Sequence, residues 1–176
     1  MTRRYYLGRL TLLVLTGFFV ALPFLIPAQA AADSNAERES LKGLRGVAVV
    51  VLAAPEAEQG GLSQATLQTD VELKLRQAGI RVLTSTERPS APGAPILVVT
   101  LGTTRSPAGF YAYAVTVGLA QHVYLARDPT MGAWATTWTT GSVGYTGQAR
   151  MDTIRSVVRD YVDRFLNAYL AVNPKE

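Results

Sequence analysis

Few residues in this chain are of types that do chemistry. The sequence holds no Cys and one His, His122, which excludes disulfides, thiolate nucleophiles and Cys/His zinc sites. A lone imidazole serves as a general base only beside a nucleophile and an orienting group. Since the sequence supplies neither near His122, we interpret it as a partly exposed surface residue and predict no metal site.

Carboxylates are the remaining catalytic groups. Hydrolysis of a glycoside, for example, needs two carboxyls that converge on a cleft. The acidic residues closest together in sequence fall in a predicted loop or on the outer faces of predicted helices: Glu56/Glu58, Asp70/Glu72 and Asp160/Asp163. We therefore do not expect an enzyme, and a small carboxylate-dependent hydrolase is kept as an alternative.

One glycine-rich segment, 141–147, precedes a predicted helix and raises the question of phosphate binding. Backbone N–H groups of such loops can cradle a phosphate. The segment lacks both the Lys-Ser/Thr ending of a Walker motif and GxGxxG spacing. We interpret it as a strand-to-helix connection and predict no cofactor.

Aromatic residues are concentrated between residues 110 and 138. Strand alternation places Trp134 and Trp138 on one side of a predicted strand, 133–140. Core packing explains most of these rings. The functional alternative is a lightly covered sheet face on which Tyr124, Trp134 and Trp138 form a partner surface, for an envelope protein, a glycan or a second copy of the chain.

The first thirty residues have the layout of a secretory signal peptide. Arg3, Arg4 and Arg9 precede an apolar run at 10–26, and Ala28 and Ala30 suit signal peptidase. We predict cleavage after Ala30, with Ala32 as the second choice. The alternative is an inner-membrane anchor through residues 10–26, although this run is shorter than the roughly 20 residues of a spanning helix.

Removal of residues 1–30 changes the charge balance of the chain. Three of the 17 Lys and Arg residues and none of the 13 acids lie there, which leaves 14 basic against 13 acidic residues. The remaining chain has no basic cluster with interleaved aromatics, so nucleic-acid binding is not expected. Membrane contact is expected only through the N-terminal segment before cleavage.

Hydrophobic periodicity predicts the folded elements. Residues 31–43 carry little apolar content and are predicted to be a flexible lead, followed by one domain at 44–174. In the run 46–53 the odd-numbered and the even-numbered residues are both apolar, as in a strand that is buried on both faces in the middle of a sheet. The further predicted elements are a helix at 63–78, strands at 80–85, 96–103, 110–127 and 133–140, and an amphipathic helix at 151–172.

Local signals refine the two helices. Ser63 suits the N-cap of the first helix, and Gly79 followed by Ile80 suits its C-terminal end. We predict ion pairs along the helices between residues four apart: Asp70/Lys74, Glu72/Arg76, Arg159/Asp163 and Asp160/Arg164. The element order β-α-β-β-β-β-α predicts an α+β two-layer sandwich, with a mixed sheet, an opening βαβ unit and a C-terminal helix.

Three segments carry a resemblance: 69–83, the strand around Thr136-Thr137-Trp138, and the ending 165–174. They resemble a family of small exported bacterial proteins without an assigned function. The element order is also similar to that of the N-terminal domain of the periplasmic translocation protein TolB. The resemblance implies an exported, periplasmic α+β domain and assigns no catalytic residue.

These observations together predict an exported, non-catalytic binding or structural module of the bacterial envelope, periplasmic or secreted. The alternatives are the hydrolase and an accessory subunit anchored by its N-terminus. The oligomeric state is left open by the sequence.

Export predicts a defined N-terminus. Mass measurement of the protein recovered from the producing cell should show a chain that begins at Ala31. Recovery of the intact chain from a membrane fraction would contradict cleavage and support the anchored alternative.

Overall fold

A computed structural model describes residues 34–147 and 151–174 of the chain. The predicted signal peptide, 1–30, lies outside the described residues. The elements in chain order are α1 (Asn35–Glu39), β1 (Ala48–Ala53), α2 (Pro55–Gln59), α3 (Gln64–Gln77), a 3-10 turn (Arg88–Ser90), β2 (Ile96–Arg105), β3 (Phe110–Leu125), β4 (Asp128–Gly147) and α4 (Met151–Val172). No helix within these ranges is long and apolar enough to cross a membrane.

The four strands form one mixed sheet in the order β1-β2-β3-β4. β1 is parallel to β2, and the other two pairings are antiparallel. The α+β class, the mixed sheet and the C-terminal helix are therefore confirmed. β1 is an edge strand of these four rather than a central one.

The predicted strand at 80–85 contributes a single parallel bridge, Val47 to Val82. The N–H of Leu83 donates to the carbonyl of Val47, but the carbonyl of Val49, where pairing would continue, accepts the side-chain amide of Gln68 at 3.4 Å. The ladder stops at this single bridge. The parallel neighbour of β1 in the named sheet is consequently β2.

The ends of α3 follow the sequence signals closely. The Ser63 hydroxyl accepts the N–H of Thr66 at 3.1 Å. Gly79 has a φ of +82°, and the N–H of Ile80 donates to the carbonyl of Leu75 at 2.8 Å. This is a Schellman ending, in which glycine adopts the left-handed conformation without steric cost.

One face of the sheet packs against the helices and forms the core. The strand residues of this helix-covered face include Val51, Leu97, Val99, Leu101, Val115, Val117, Leu119 and Trp138, and all are buried. Phe165 of α4 meets Trp138 edge-on, with ring centroids 5.3 Å apart. Burial of two large rings at one contact makes this pair a major contributor to the core.

The segment 34–43, expected to belong to a flexible lead, is part of the fold. Ser34 and Glu37 form a capping box on α1, and Leu41 is fully buried in the core. The Asn173 amide donates to the carbonyl of Leu41 at 2.9 Å and accepts the N–H of Gly43 at 2.7 Å. A single Leu in a polar segment was too weak a signal to reveal this docking.

The ion pairs of α3 and α4 form mainly between the two helices rather than along them. Asp70 of α3 accepts two hydrogen bonds from Arg155 of α4, at 2.7 and 2.9 Å, and one from Arg159 at 3.2 Å. Lys74 of α3 pairs with Asp163 of α4. Of the four pairs predicted within a helix, only Glu72/Arg76 forms, because the two helices pack side by side and offer closer partners.

We expect Leu41→Ala to lower the free energy of unfolding by about 2 to 5 kcal/mol, because it removes a fully buried side chain. Leu73→Ala is the matched control, since Leu73 is half exposed on α3 and its loss should change stability by no more than about 0.5 kcal/mol. Urea denaturation measures both. Equal effects would contradict the docking of residues 34–43.

The Asp70 cluster predicts an acid-sensitive contact between α3 and α4. Hydrogen bonds from Arg155 hold the pKa of Asp70 below its ordinary value of 3.8. A carboxyl with a depressed folded pKa stabilises the fold above its unfolded pKa, and this stabilisation is lost as the pH falls through the folded pKa.

Asp70→Asn should therefore destabilise the protein at pH 7, and the difference from the natural chain should shrink below about pH 4. Asp160→Asn is the control, because Asp160 makes no ion pair with a described residue. Urea unfolding between pH 7 and pH 2 measures both differences. A difference for Asp70→Asn that is independent of pH would contradict the role of its charge.

Candidate functional site

None of the helices among the described residues packs on the second face of the sheet, which is called here the open face. It consists of the side chains on the side opposite the core, and its exposed members are Val50, Leu52, Thr100, Thr104, Phe110, Ala112, Ala114, Thr116, His122, Tyr124, Trp134, Thr136, Val143 and Tyr145. None of these is charged. An antiparallel sheet with one solvated face normally alternates apolar and polar residues, so this composition is unusual for a surface in water.

A β-bulge separates the two tryptophans. Leu119 is opposite Trp138, whereas the next residue, Ala120, is opposite Thr136, so Thr137 is the extra residue of β4. An extra residue reverses the alternation of side chains along the strand. Trp138 is consequently 0% exposed in the core, while Trp134 is 52% exposed on the open face.

The predicted partner surface therefore needs a correction. Trp138 cannot contact a partner, because the helices cover it. Tyr124 is 66% exposed and lies on the open face with Trp134, so the structure brings these two together. The expectation that both tryptophans share a side was wrong because period-2 alternation assumes a regular strand.

Tyr124 and Trp134 form one end of the open face, around the imidazole of His122. The ring of His122 meets that of Tyr124 edge-on at 5.4 Å and that of Trp134 at 6.0 Å. The guanidinium of Arg88 lies 5.6 Å from the Trp134 ring centroid, a cation–π distance. We call these four residues the aromatic end.

The loop before β2 supports the aromatic end. The N–H of His122 donates to the carbonyl of Gly93 at 2.8 Å. Glu87 accepts the N–H and the hydroxyl of Thr84 and pairs with Arg81. These hydrogen bonds lower the pKa of Glu87 to about 2, so the carboxylate stays charged and orders the turn that carries Arg88.

The other end of the open face holds an apolar groove of about 1160 Å³. Small residues, Gly102, Ala112 and Ala114, form its floor along β2 and β3. Its walls include Phe110, Val143 and Tyr145, of which Val143 and Tyr145 are 77% and 82% exposed. Eight residues of β3 separate Ala114 from His122, or about 27 Å along the strand.

Sequence reasoning missed the β4 side of this groove. The segment 141–147, interpreted as a glycine-rich connection, is the last part of β4. The alternation of Val143 and Tyr145 with smaller residues was the available signal. Gly144 has a specific role, because the ring of Tyr113 lies so close that a Cβ there would be 2.6 Å from its Cζ atom.

The structure disperses the groups that were considered for catalysis. Glu56 and Glu58 lie in α2, and Asp70 and Asp163 are paired with the basic residues of the opposite helix. His122 contacts rings rather than a hydroxyl or a carboxylate. Within residues 34–147 and 151–174, no three His, Asp or Glu side chains are grouped so as to hold a metal ion.

Comparisons with protein-family models, with curated proteins and with solved structures found no match for this chain. The resemblance to small exported bacterial proteins, and the similarity to the TolB N-terminal domain, therefore stay predictions. The composition of the open face is therefore the basis for assigning a function.

Proposed function

We infer that the chain is an exported, non-catalytic binding module of the bacterial envelope that binds a partner protein through the open face of its sheet. The observation that carries this proposal is the composition of that face, whose strand residues expose aromatic and aliphatic side chains and carry no charge. Arg88, which lies over Trp134 at the aromatic end, comes from the loop before β2. Contiguous apolar surface of this kind is characteristic of interaction sites.

β1 supplies the strongest part of this support. Its odd-numbered and its even-numbered residues are both apolar, as in a strand that is covered on two faces. Val51 is fully buried against the helices, but Val50 and Leu52 face outward and are 38% and 52% exposed. A partner that covers the open face would bury these side chains and account for the pattern.

The chemistry of the face favours a protein over a glycan. Sugar hydroxyls require several hydrogen-bonding groups beside an aromatic ring. Side chains that combine rings with hydrogen-bonding groups are grouped at the aromatic end, whereas the part of the face with Val50, Leu52 and Phe110 offers apolar carbon and a few Thr hydroxyls. Tyr124 and Trp134 are suited to act as anchors, because large rings supply much contact area at low entropic cost.

A photo-crosslinking amino acid, introduced singly at Leu52, Trp134 or Leu73 of the chain in the producing cell, tests this proposal. Leu73 is the matched control, because it is an exposed Leu on α3 outside the open face. We expect the first two positions to yield the same cross-linked protein and the control to yield none of it. Equal products at all three positions, or none at Leu52 and Trp134, would contradict the proposal.

A second measurement separates recognition from folding. Tyr124→Ala with Trp134→Ala should reduce the crosslink at Leu52 at least tenfold without lowering the melting temperature, since both rings are exposed. Trp138 is left unchanged as the spectroscopic reporter of the core.

A further inference from the structure

The outer edge of β4 exposes a row of backbone hydrogen-bonding groups. The N–H of Ala54 donates to the carbonyl of Leu101, so odd-numbered residues of β2 bond β1 and even-numbered residues bond β3. Even-numbered residues of β2 lie opposite even-numbered residues of β3, so the odd-numbered residues of β3 bond β4. Val115 of β3 lies opposite Ser142 of β4, and even-numbered residues in this part of β4 therefore bond β3. The N–H and C=O groups of four residues point to the outer edge: Thr139, Gly141, Val143 and Tyr145.

The chain covers the first part of the opposite edge of the sheet. Val47, just before β1, accepts the N–H of Leu83 at 2.9 Å and donates to the carbonyl of Arg81 at 3.0 Å. The side chain of Gln68 donates to the carbonyl of Val49 at 3.4 Å. Both contacts occupy groups that would otherwise be open to another strand.

The β4 edge is covered only at the bulge, where the Ser40 hydroxyl donates to the carbonyl of Thr137 at 3.2 Å. Between residues 139 and 145, no described residue outside β3 bonds the backbone of β4. The edge therefore offers seven residues, or about 24 Å, for the addition of a strand.

The sequence of this edge lacks the usual protection. Natural sheets guard long edges with charged side chains, proline or bulges. Residues 130–147 contain no Lys, Arg, Asp, Glu or Pro, and both register shifts of the β3–β4 pair, at Thr137 and near the turn before it, lie before the exposed stretch. Two copies of this strand can therefore approach without like-charge repulsion.

In one register, the side chains of this edge fit those of the same edge in a second copy of the chain. If Val143 pairs with Val143 of a second copy in antiparallel orientation, Tyr145 falls opposite Gly141. The chain already sets rings against glycines across its own strands, Tyr113 at Gly144 and His122 at Gly132. A ring set against a glycine across a two-fold axis would likewise bury part of the ring of Tyr145.

We propose that two copies of the chain associate through residues 139–145 of β4, paired antiparallel about Val143, to form a continuous eight-stranded sheet. The two open faces then become one surface, which goes beyond the proposed function and does not depend on it. The paired edge is smaller than a standard interface of about 800 Å² per partner, so we expect a dimer that dissociates on dilution in the micromolar range.

Cysteine substitution tests the register directly, because the natural chain has no Cys. Directly opposed, hydrogen-bonded residues have Cα atoms about 5.5 Å apart, within the range that a disulfide spans. Val143→Cys, in the chain recovered from the producing cell, should cross-link under mild oxidation at least tenfold faster than Leu52→Cys. Leu52 is exposed on the same face but lies on β1, so equal rates would overturn the edge pairing.

Sedimentation of the natural chain and of two Val143 variants tests the hydrogen bonds of the edge. Val143→Pro removes an outward N–H and should abolish the dimer, whereas Val143→Thr keeps the N–H and should retain it. A natural chain that is monomeric throughout, or a dimer that survives Val143→Pro, would overturn the proposal.

Near-UV circular dichroism of Trp138 shows whether Val143→Pro is folded. If it is not, Val143→Lys and Val143→Glu decide instead. Each alone should be monomeric, and an equimolar mixture at low salt should restore the dimer. A mixture that stays monomeric would overturn the pairing about Val143.

Discussion

The bulge at Thr137 is the constraint on which the rest of the structure depends. One extra residue in β4 directs Trp138 into the core against Phe165 and leaves Trp134 on the open face. Its conformation is held from two sides, because the amide of Gln121 donates to the Thr137 hydroxyl at 2.8 Å and Ser40 donates to the Thr137 carbonyl. The amide of Gln121 also donates to the carbonyl of Ser40 at 3.2 Å, so the same contacts fasten the segment after α1 to the sheet.

The division between the two sheet faces follows from this arrangement. All helix packing and both interhelical ion-pair groups, Asp70 with Arg155 and Arg159 and Lys74 with Asp163, lie on one side. The other side exposes aromatic and aliphatic residues to water, and this exposure does not stabilise the isolated fold. The α3–α4 contacts and the core therefore lie on the helix-covered side of the sheet.

Sequence patterns succeeded where the determinants are local. Ser63, Gly79 and Ile80 act within one turn of the ends of α3. The apolar stripe of α4 only requires that one side of the helix be buried. Patterns failed where a distant group intervened. The side-chain amide of Gln68 takes the carbonyl of Val49, where the predicted strand at 80–85 would continue to pair, and Arg155 draws Asp70 away from Lys74. The glycines of 141–147 suggested a loop because the role of Gly144, which leaves room for the ring of Tyr113, involves another strand.

The sequence by itself determined the α+β class, the order of most elements, the caps of α3 and the apolar character of β1, because these depend on residues close together in the chain. Only the tertiary structure decided that β1 is an edge strand, that Leu41 belongs to the core and that Tyr124 and Trp134 share a surface without Trp138. The physical reason is that side-chain alternation fixes the two faces of a strand only relative to each other. A single unpaired residue reverses that assignment, and its position depends on contacts from Ser40 and Gln121 that no local pattern contains.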